Sequence, residues 1–220
     1  MEIFINKEKN FRFSNTILLI MVFLLVFIGP ILPVHVQKSF NSSGYTIIFL
    51  AAVLSLNKYR REMFVLAIGA ILTEWVTDYV NSELFSALSD LINFIFFIIV
   101  VVSFIAQLVR SEKIGMREIF ESINGYLLLG IIFSILIAVT DKNIPGALYF
   151  PDTPNTFGDY MYYGFITLST LGYGDVVPKL PVAKSLAILT TVSGQFYMAT
   201  IIAIIVSKFT VGKKTDLESK

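Results

Sequence analysis

Thr167-Leu168-Ser169-Thr170-Leu171-Gly172-Tyr173-Gly174-Asp175 sits between two long apolar segments, and the reading of the chain turns on its two glycines. A glycine on each side of Tyr173 admits backbone conformations closed to other residues, so successive carbonyls can point the same way. Carbonyls aligned along an axis can replace the water around a cation. Upstream, residues 141–155 are rich in Pro, Gly and Asp and suit an exposed outer turret. Thr156-x-x-Asp159 then reads as a capping box that opens a helix running to Ser169. That segment is about 14 residues, or about 21 Å, too short to cross a bilayer and therefore re-entrant. Its carboxyl end would face the membrane centre, where the negative end of the helix dipole favours a cation.

Composition sets the setting. Hydrophobic residues make up 55% of the 220, and mean hydropathy is +0.76. Apolar blocks recur at Asn15–Pro33, Ser43–Asn57, Met63–Val80, Leu91–Val109, Ser122–Thr140 and Pro181–Lys208. They predict an all-α membrane protein with six transmembrane helices and a re-entrant pore helix and filter loop between the fifth and sixth. The first block is long enough to span and is followed by no small-residue cleavage site, so it reads as a helix and not as a signal peptide. With the amino terminus inside, only Lys38, Lys142, Lys179 and Lys184 of the 17 basic residues fall outside. Lys7, Lys9, Arg12, Lys58, Arg60, Arg61, Arg110, Lys113, Arg117, Lys208, Lys213, Lys214 and Lys220 are then cytoplasmic, as the positive-inside rule expects.

A net charge of +1 without a long basic run argues against a nucleic-acid partner, and zero cysteines exclude disulfides and thiolate chemistry. The single histidine, His35, falls in an expected extracellular loop and reads as a solvated residue. The spans predict a cytoplasmic segment 1–14, a four-helix unit 15–110, an interfacial linker helix 111–121, a pore domain 122–208 and a tail 209–220. In the linker, Met116, Ile119, Phe120 and Ile123 form one apolar stripe. Glu112, Lys113, Arg117, Glu118 and Glu121 fall mainly on the other side, which predicts a helix along the inner membrane surface.

The pattern Thr167-x-x-Thr170-x-Gly172-Tyr173-Gly174-Asp175 resembles the signature of the tetrameric potassium-channel family, whose filters are rings of carbonyls. The resemblance is specific over about residues 156–208 and rests on topology alone before that. It implies a homotetramer in the cell membrane, with K+ as permeant ion and no cofactor. It implies that the carbonyls of Thr170, Leu171, Gly172 and Tyr173, with the Thr170 hydroxyl, hold K+ in a filter spanning 170–174, so including Gly174, and that Asp175 caps its mouth. Tyr162 and Tyr163 occupy places where many members carry tryptophans; with Thr167 they are expected to support the filter by packing around Tyr173. Interfacial anchoring is the rival account of the two tyrosines.

Two departures stand out. Leu171 replaces the usual valine or isoleucine, and Ile166 stands where some bacterial members carry a glutamate paired with the aspartate after the filter. No such buried pair can form here. Gly194, 20 residues after Gly174, is placed as a gating hinge, with close helix packing as the alternative. Ile202, Ala203 and Val206 are candidates for an inner gate that closes by dewetting.

The unit of the first four helices resembles a voltage sensor without its charges, because Leu91 to Val109 contains none. Weak intrinsic voltage dependence is expected, since steep opening needs charge moved through the field. Glu74 and Asp78 share one face of the third span, where a hydrated crevice, a structural hydrogen-bond site and a cation or proton sensor are all open readings. Trp75 and Tyr79 beside them read as interface anchors. After Lys208 the chain runs only to Lys220, and no folded regulatory domain is expected there. The function expected is passive, potassium-selective conduction without an enzymatic step. The alternatives are a weakly selective cation channel and a potassium transporter subunit; a membrane enzyme on the first four helices lacks a catalytic constellation.

Overall fold

A computed structural model describes residues 2–56, 60–80, 83–111, 114–151 and 156–218. Glu112, Lys113, Lys58, Tyr59 and Lys220, turret residues 152–155, and the side chains of Lys7, Lys9, Arg12, Lys38, Asp78, Tyr79, Lys213 and Lys214 lie outside the described residues. Helix α1 (Glu2–Phe23) begins well before the expected Asn15 and runs into a π turn, Leu24–Ile28, and a 3-10 turn, Gly29–Ile31. Pro30 accounts for the change of pitch. It donates no backbone hydrogen bond and its ring crowds the carbonyl four residues back, and Gly29 N–H reaches instead to the Leu24 carbonyl.

Helix α2 (Val34–Leu54) starts directly after Pro33, so His35 lies in its first turn, exposed, and not in a loop. Helix α3 spans Arg60–Val80 and α4 Glu83–Arg110. Helix α4 therefore begins before the expected Leu91, and Asp90 lies within that helix. Helix α5 is Met116–Asn143, one continuous element. Of the linker helix expected over 111–121, residues 116–121 belong to α5, whose amino end Glu118 caps by accepting from Gly115 N–H at 2.9 Å.

Consecutive helices pack as neighbours, and α1 and α4 both lie against α5. The core between α2 and α4 is aromatic. Phe49 meets Phe96 edge-on at 4.9 Å and Phe97 stacked at 5.5 Å, with all three rings fully buried. Such pairs contribute about 0.5–1.5 kcal/mol each beyond their area.

Among the described residues four helices are long and apolar enough to cross a membrane: Phe13–Ile31, Leu84–Arg110, Met116–Asn143 and Pro181–Lys208. Helices α2 and α3 have the length, 21 residues each, but carry more polar residues. The chain is an all-α membrane protein by these elements. A two-residue ladder pairs β1 (Leu148–Tyr149) antiparallel with β2 (Val177–Pro178), in register Leu148 with Pro178. Helix α6 (Phe157–Leu168) and the long α7 (Pro181–Glu218) complete the fold.

Candidate functional site

The twelve residues of α6 span about 18 Å, too short to cross a bilayer. Asp159 accepts from Thr156 N–H at 3.2 Å and starts the helix where the capping pattern placed it. One glycine notch on each helix lets α5 and α6 approach closely. Phe165 fills the space beside Gly130, and Ser134 abuts Gly164, so a Cβ at either glycine would collide with its neighbour. Tyr160 donates to Asp141 at 3.0 Å, tying α6 to the carboxyl end of α5.

Beyond α6 the backbone alternates. Thr170 has φ 63°, Gly172 50° and Gly174 84°, while Leu171 and Tyr173 keep negative φ. Glycine adopts such angles freely, but a β-branched residue there is an outlier. Thr170 is the one non-glycine residue with positive φ among the described residues. Strain of this kind costs about 1–3 kcal/mol and persists only where the surroundings impose it. Here Thr170 N–H donates to the Thr167 carbonyl at 3.0 Å and Gly172 N–H to the Ile166 carbonyl at 3.1 Å, folding the stretch onto the carboxyl end of α6.

The end of this stretch is held by a contact the sequence did not reveal. Tyr162 donates its hydroxyl to Asp175 at 2.5 Å. This bond pushes Tyr162 up to about 12, and the same bond, ahead of smaller backbone contributions, holds the Asp175 carboxyl below its ordinary 3.8. Asp175 therefore stays ionised and anchored through the neutral range. Ile166, where some relatives of the resembled family carry an acid, is buried among Tyr163, Ile137 and Val176. Tyr163 is likewise buried, whereas Tyr173 stands 69% exposed, so one chain alone does not close an aromatic cuff around it. The expected exposed turret is in part pinned: Ala147 is fully buried, and its carbonyl accepts from Lys179 N–H at 2.8 Å.

Residues 125–211, which hold this whole arrangement, match the family model described as ion channel. A protein from Rhodopseudomonas palustris named as a potassium channel is 31% identical over 101 residues, 43% of this chain and 24% of that one. The potassium voltage-gated channel protein Shal of Drosophila melanogaster is 32% identical over 90 residues, 39% of this chain and 15% of its own. The human A-type voltage-gated potassium channel KCND3 is 33% identical over 89 residues, 39% and 13% respectively. Over this stretch the chain is similar to proteins named as potassium channels. It spans a quarter or less of the length of these three relatives, and no solved structure matches it.

Helix α7 passes directly behind the stretch from Thr167 to Leu168. Thr191 donates its hydroxyl to the Thr167 carbonyl at 3.2 Å. One turn on, a Cβ on Gly194 would run into the carbonyl oxygen of Leu168 and meet its Cδ1 at 3.0 Å. Helix α7 continues through Gly194 without a break, so close approach is a sufficient account of the glycine placed as a hinge. Further along, Tyr197 is buried against Gly125 and donates to the Ser122 carbonyl at 2.7 Å, whereas Ile202, Ala203 and Val206 are exposed.

The amino end of α5 carries a polar knot that periodicity misassigned. Glu121, expected on a solvated face, is 1% exposed and accepts from Arg117 at 2.8 Å and from Asn15 of α1 at 3.2 Å. Arg117 also donates to Gln107 of α4 at 3.0 Å. The apolar stripe is what faces outward, with Met116 54% and Ile123 42% exposed. Lys208 of α7 donates to the carbonyls of Leu108 and Val109, at 2.5 and 2.8 Å, and of Ser111. A cation thus caps the carboxyl end of α4, where the unpaired carbonyls and the helix dipole favour one.

Proposed function

We propose that four copies of this chain surround one axis and conduct K+ passively and selectively across the cell membrane, without an enzymatic step and with no cofactor. The observation that carries the reading is the alternation of φ from Thr170 to Gly174. Alternating hand turns successive peptide planes so that neighbouring carbonyls share one side, which a single chain has no use for. A dehydrated cation held by four such strips gives the strain at Thr170 a purpose. The carbonyls of Thr170, Leu171, Gly172 and Tyr173 are the proposed K+ ligands, with Gly174 completing the strip, Thr167 supporting it and Asp175 at its mouth.

Exposure supports the assembly. Only 22% of the most apolar stretch of α7 is buried, against 67% for α5, and Phe196, Ile188, Ile202 and Val206 are all more than half exposed. A second copy would cover part of this surface, and the remainder would line a cavity closed by Ile202, Ala203 and Val206. In this arrangement α1 to α5 and α7 span the bilayer, α6 re-enters from the outer face, and both ends of the chain are cytoplasmic. Helix α4 packs against α5 of the same chain, so the four-helix unit stays with its own α5. That unit carries no charge from Leu91 to Val109, so opening depends weakly on voltage.

The test is K+ flux into proteoliposomes, with the mass of the purified assembly measured in parallel. Gly172→Ala puts a side chain at φ 50° and is expected to abolish flux while the four-chain mass persists. Undiminished flux in this variant would contradict the filter reading.

A further inference from the structure

Away from the filter, a crevice of about 230 Å³ opens between α2, α3 and α4 and reaches the outer end of α5. Its lining includes Tyr45, Glu74, Ser89, Asp90, Asn93 and Lys142. Glu74 accepts from the Ser89 hydroxyl at 3.0 Å and from Asn93 Nδ2 at 3.1 Å. The carboxylate fixes the amide orientation, because only the Nδ2 end can face it. Asn93 is 5% exposed, yet its Oδ1 has no hydrogen-bond partner. An acceptor buried without a partner costs free energy, and this one asks for a donor or a cation. Asp90 is loosely paired with Lys142 at 4.0 Å, with the lysine side chain 56% exposed.

We propose that this crevice binds a hard divalent cation of the Ca2+ class between Glu74 and Asp90, with the Asn93 Oδ1 as a neutral ligand. The chemistry of the lining decides the class. Every acceptor offered is oxygen, which suits Ca2+ or Mg2+ and not thiolate- or imidazole-seeking metals. The ligands come from two helices, Glu74 from α3 and Asp90 and Asn93 from α4, at positions no octahedron dictates, and Ca2+ tolerates irregular geometry where Mg2+ does not. Two carboxylates against one ammonium leave the crevice net negative. Among the described residues no three acidic or histidine groups converge, so the site is weak, with a dissociation constant of about 10⁻⁴–10⁻³ M, the range of outward-facing modules. The entering ion displaces Lys142 from Asp90, and so binding in the four-helix unit releases a tie to α5.

The experiment is a Tb3+ luminescence titration of the full chain in zwitterionic nanodiscs at constant K+, with Ca2+ as the competitor. Tyr45 in the lining is a ready donor for sensitised emission. The expected result is saturable emission displaced by Ca2+, weakened at least tenfold by Glu74→Gln and by Asp90→Asn. Lys142→Met is expected to tighten binding about fivefold, the effect of removing a unit charge at 4.0 Å in a water-like setting. Lys142 is half-exposed, so this variant does not endanger folding. Absence of saturable emission would overturn the proposal, as would an affinity that none of the three variants moves or that Lys142→Met weakens. Binding is read directly and stands or falls independently of conduction.

Discussion

Replacing Gly194 by alanine separates two accounts of the same residue. In a free helix the change is favourable by about 1 kcal/mol, because alanine is the better helix former. In this fold the new Cβ meets the backbone carbonyl of Leu168 and approaches its Cδ1 at 3.0 Å. A carbonyl at the end of α6 cannot rotate away as a side chain would, and overpacking of this kind costs about 1–3 kcal/mol. The net is a loss of roughly 0–2 kcal/mol per chain, felt at the joint between α7 and the turn that begins the filter. Thr191, which donates to Thr167 on the same face, should be pushed off with it. The assay pairs thermal unfolding of purified protein with single-channel conductance. Gly194→Ala is expected to lower both, and Ser193→Gly added to it should restore neither, since a glycine one residue round the helix does not relieve the contact. A hinge would behave otherwise. Full conductance in Gly194→Ala, with altered opening that Ser193→Gly rescues, would refute the packing argument.

Two further outcomes follow from the same geometry. Asp175 has its pKa lowered by the Tyr162 hydroxyl, so the hold on the filter mouth is present above 3.8 and is lost only as pH falls through the lowered value. Tyr162 stays protonated up to about 12, so no alkaline loss is expected in working buffers. Tyr162→Phe should move the acid-side loss of steady K+ current to higher pH and speed the current's decay at neutral pH; an unchanged acid profile would count against the bond. Lys208→Met strips the cation from the carboxyl end of α4, a contribution of about 1 kcal/mol. Amide hydrogen exchange in 111–115 should quicken several-fold, and Lys208→Arg should preserve most of the protection; equal exchange in the Met variant would show that the contact does not hold.

The backbone alternation from Thr170 to Gly174 was legible because its signal is local. Glycine spacing around Tyr173 fixes the backbone options, and the length of the apolar block after Pro181 fixes α7. The capping pattern at Thr156 likewise acts over one turn and appeared where expected. What was misread depends on partners distant in sequence. Arg117 and Glu121 look like a solvated face until Asn15 and Gln107 arrive from α1 and α4 to satisfy them inside. Asp90 stands just before the apolar block that opens at Leu91, and its pairing with Lys142 on α5 has no local signal. The ladder of Leu148–Tyr149 with Val177–Pro178 is too short to show any alternation. The bond from Tyr162 to Asp175 had a signal, a hydroxyl-bearing aromatic where tryptophan is common in the family, but its partner lay across the filter.

The most direct measurement is the reversal potential of the purified protein in planar bilayers, with K+ on one side and Na+ on the other, over a voltage ramp. Reversal near the K+ equilibrium potential, with open probability nearly flat in voltage, is the predicted result. Reversal near zero with sustained cation current would mean that the strip from Thr170 to Gly174 does not select for K+.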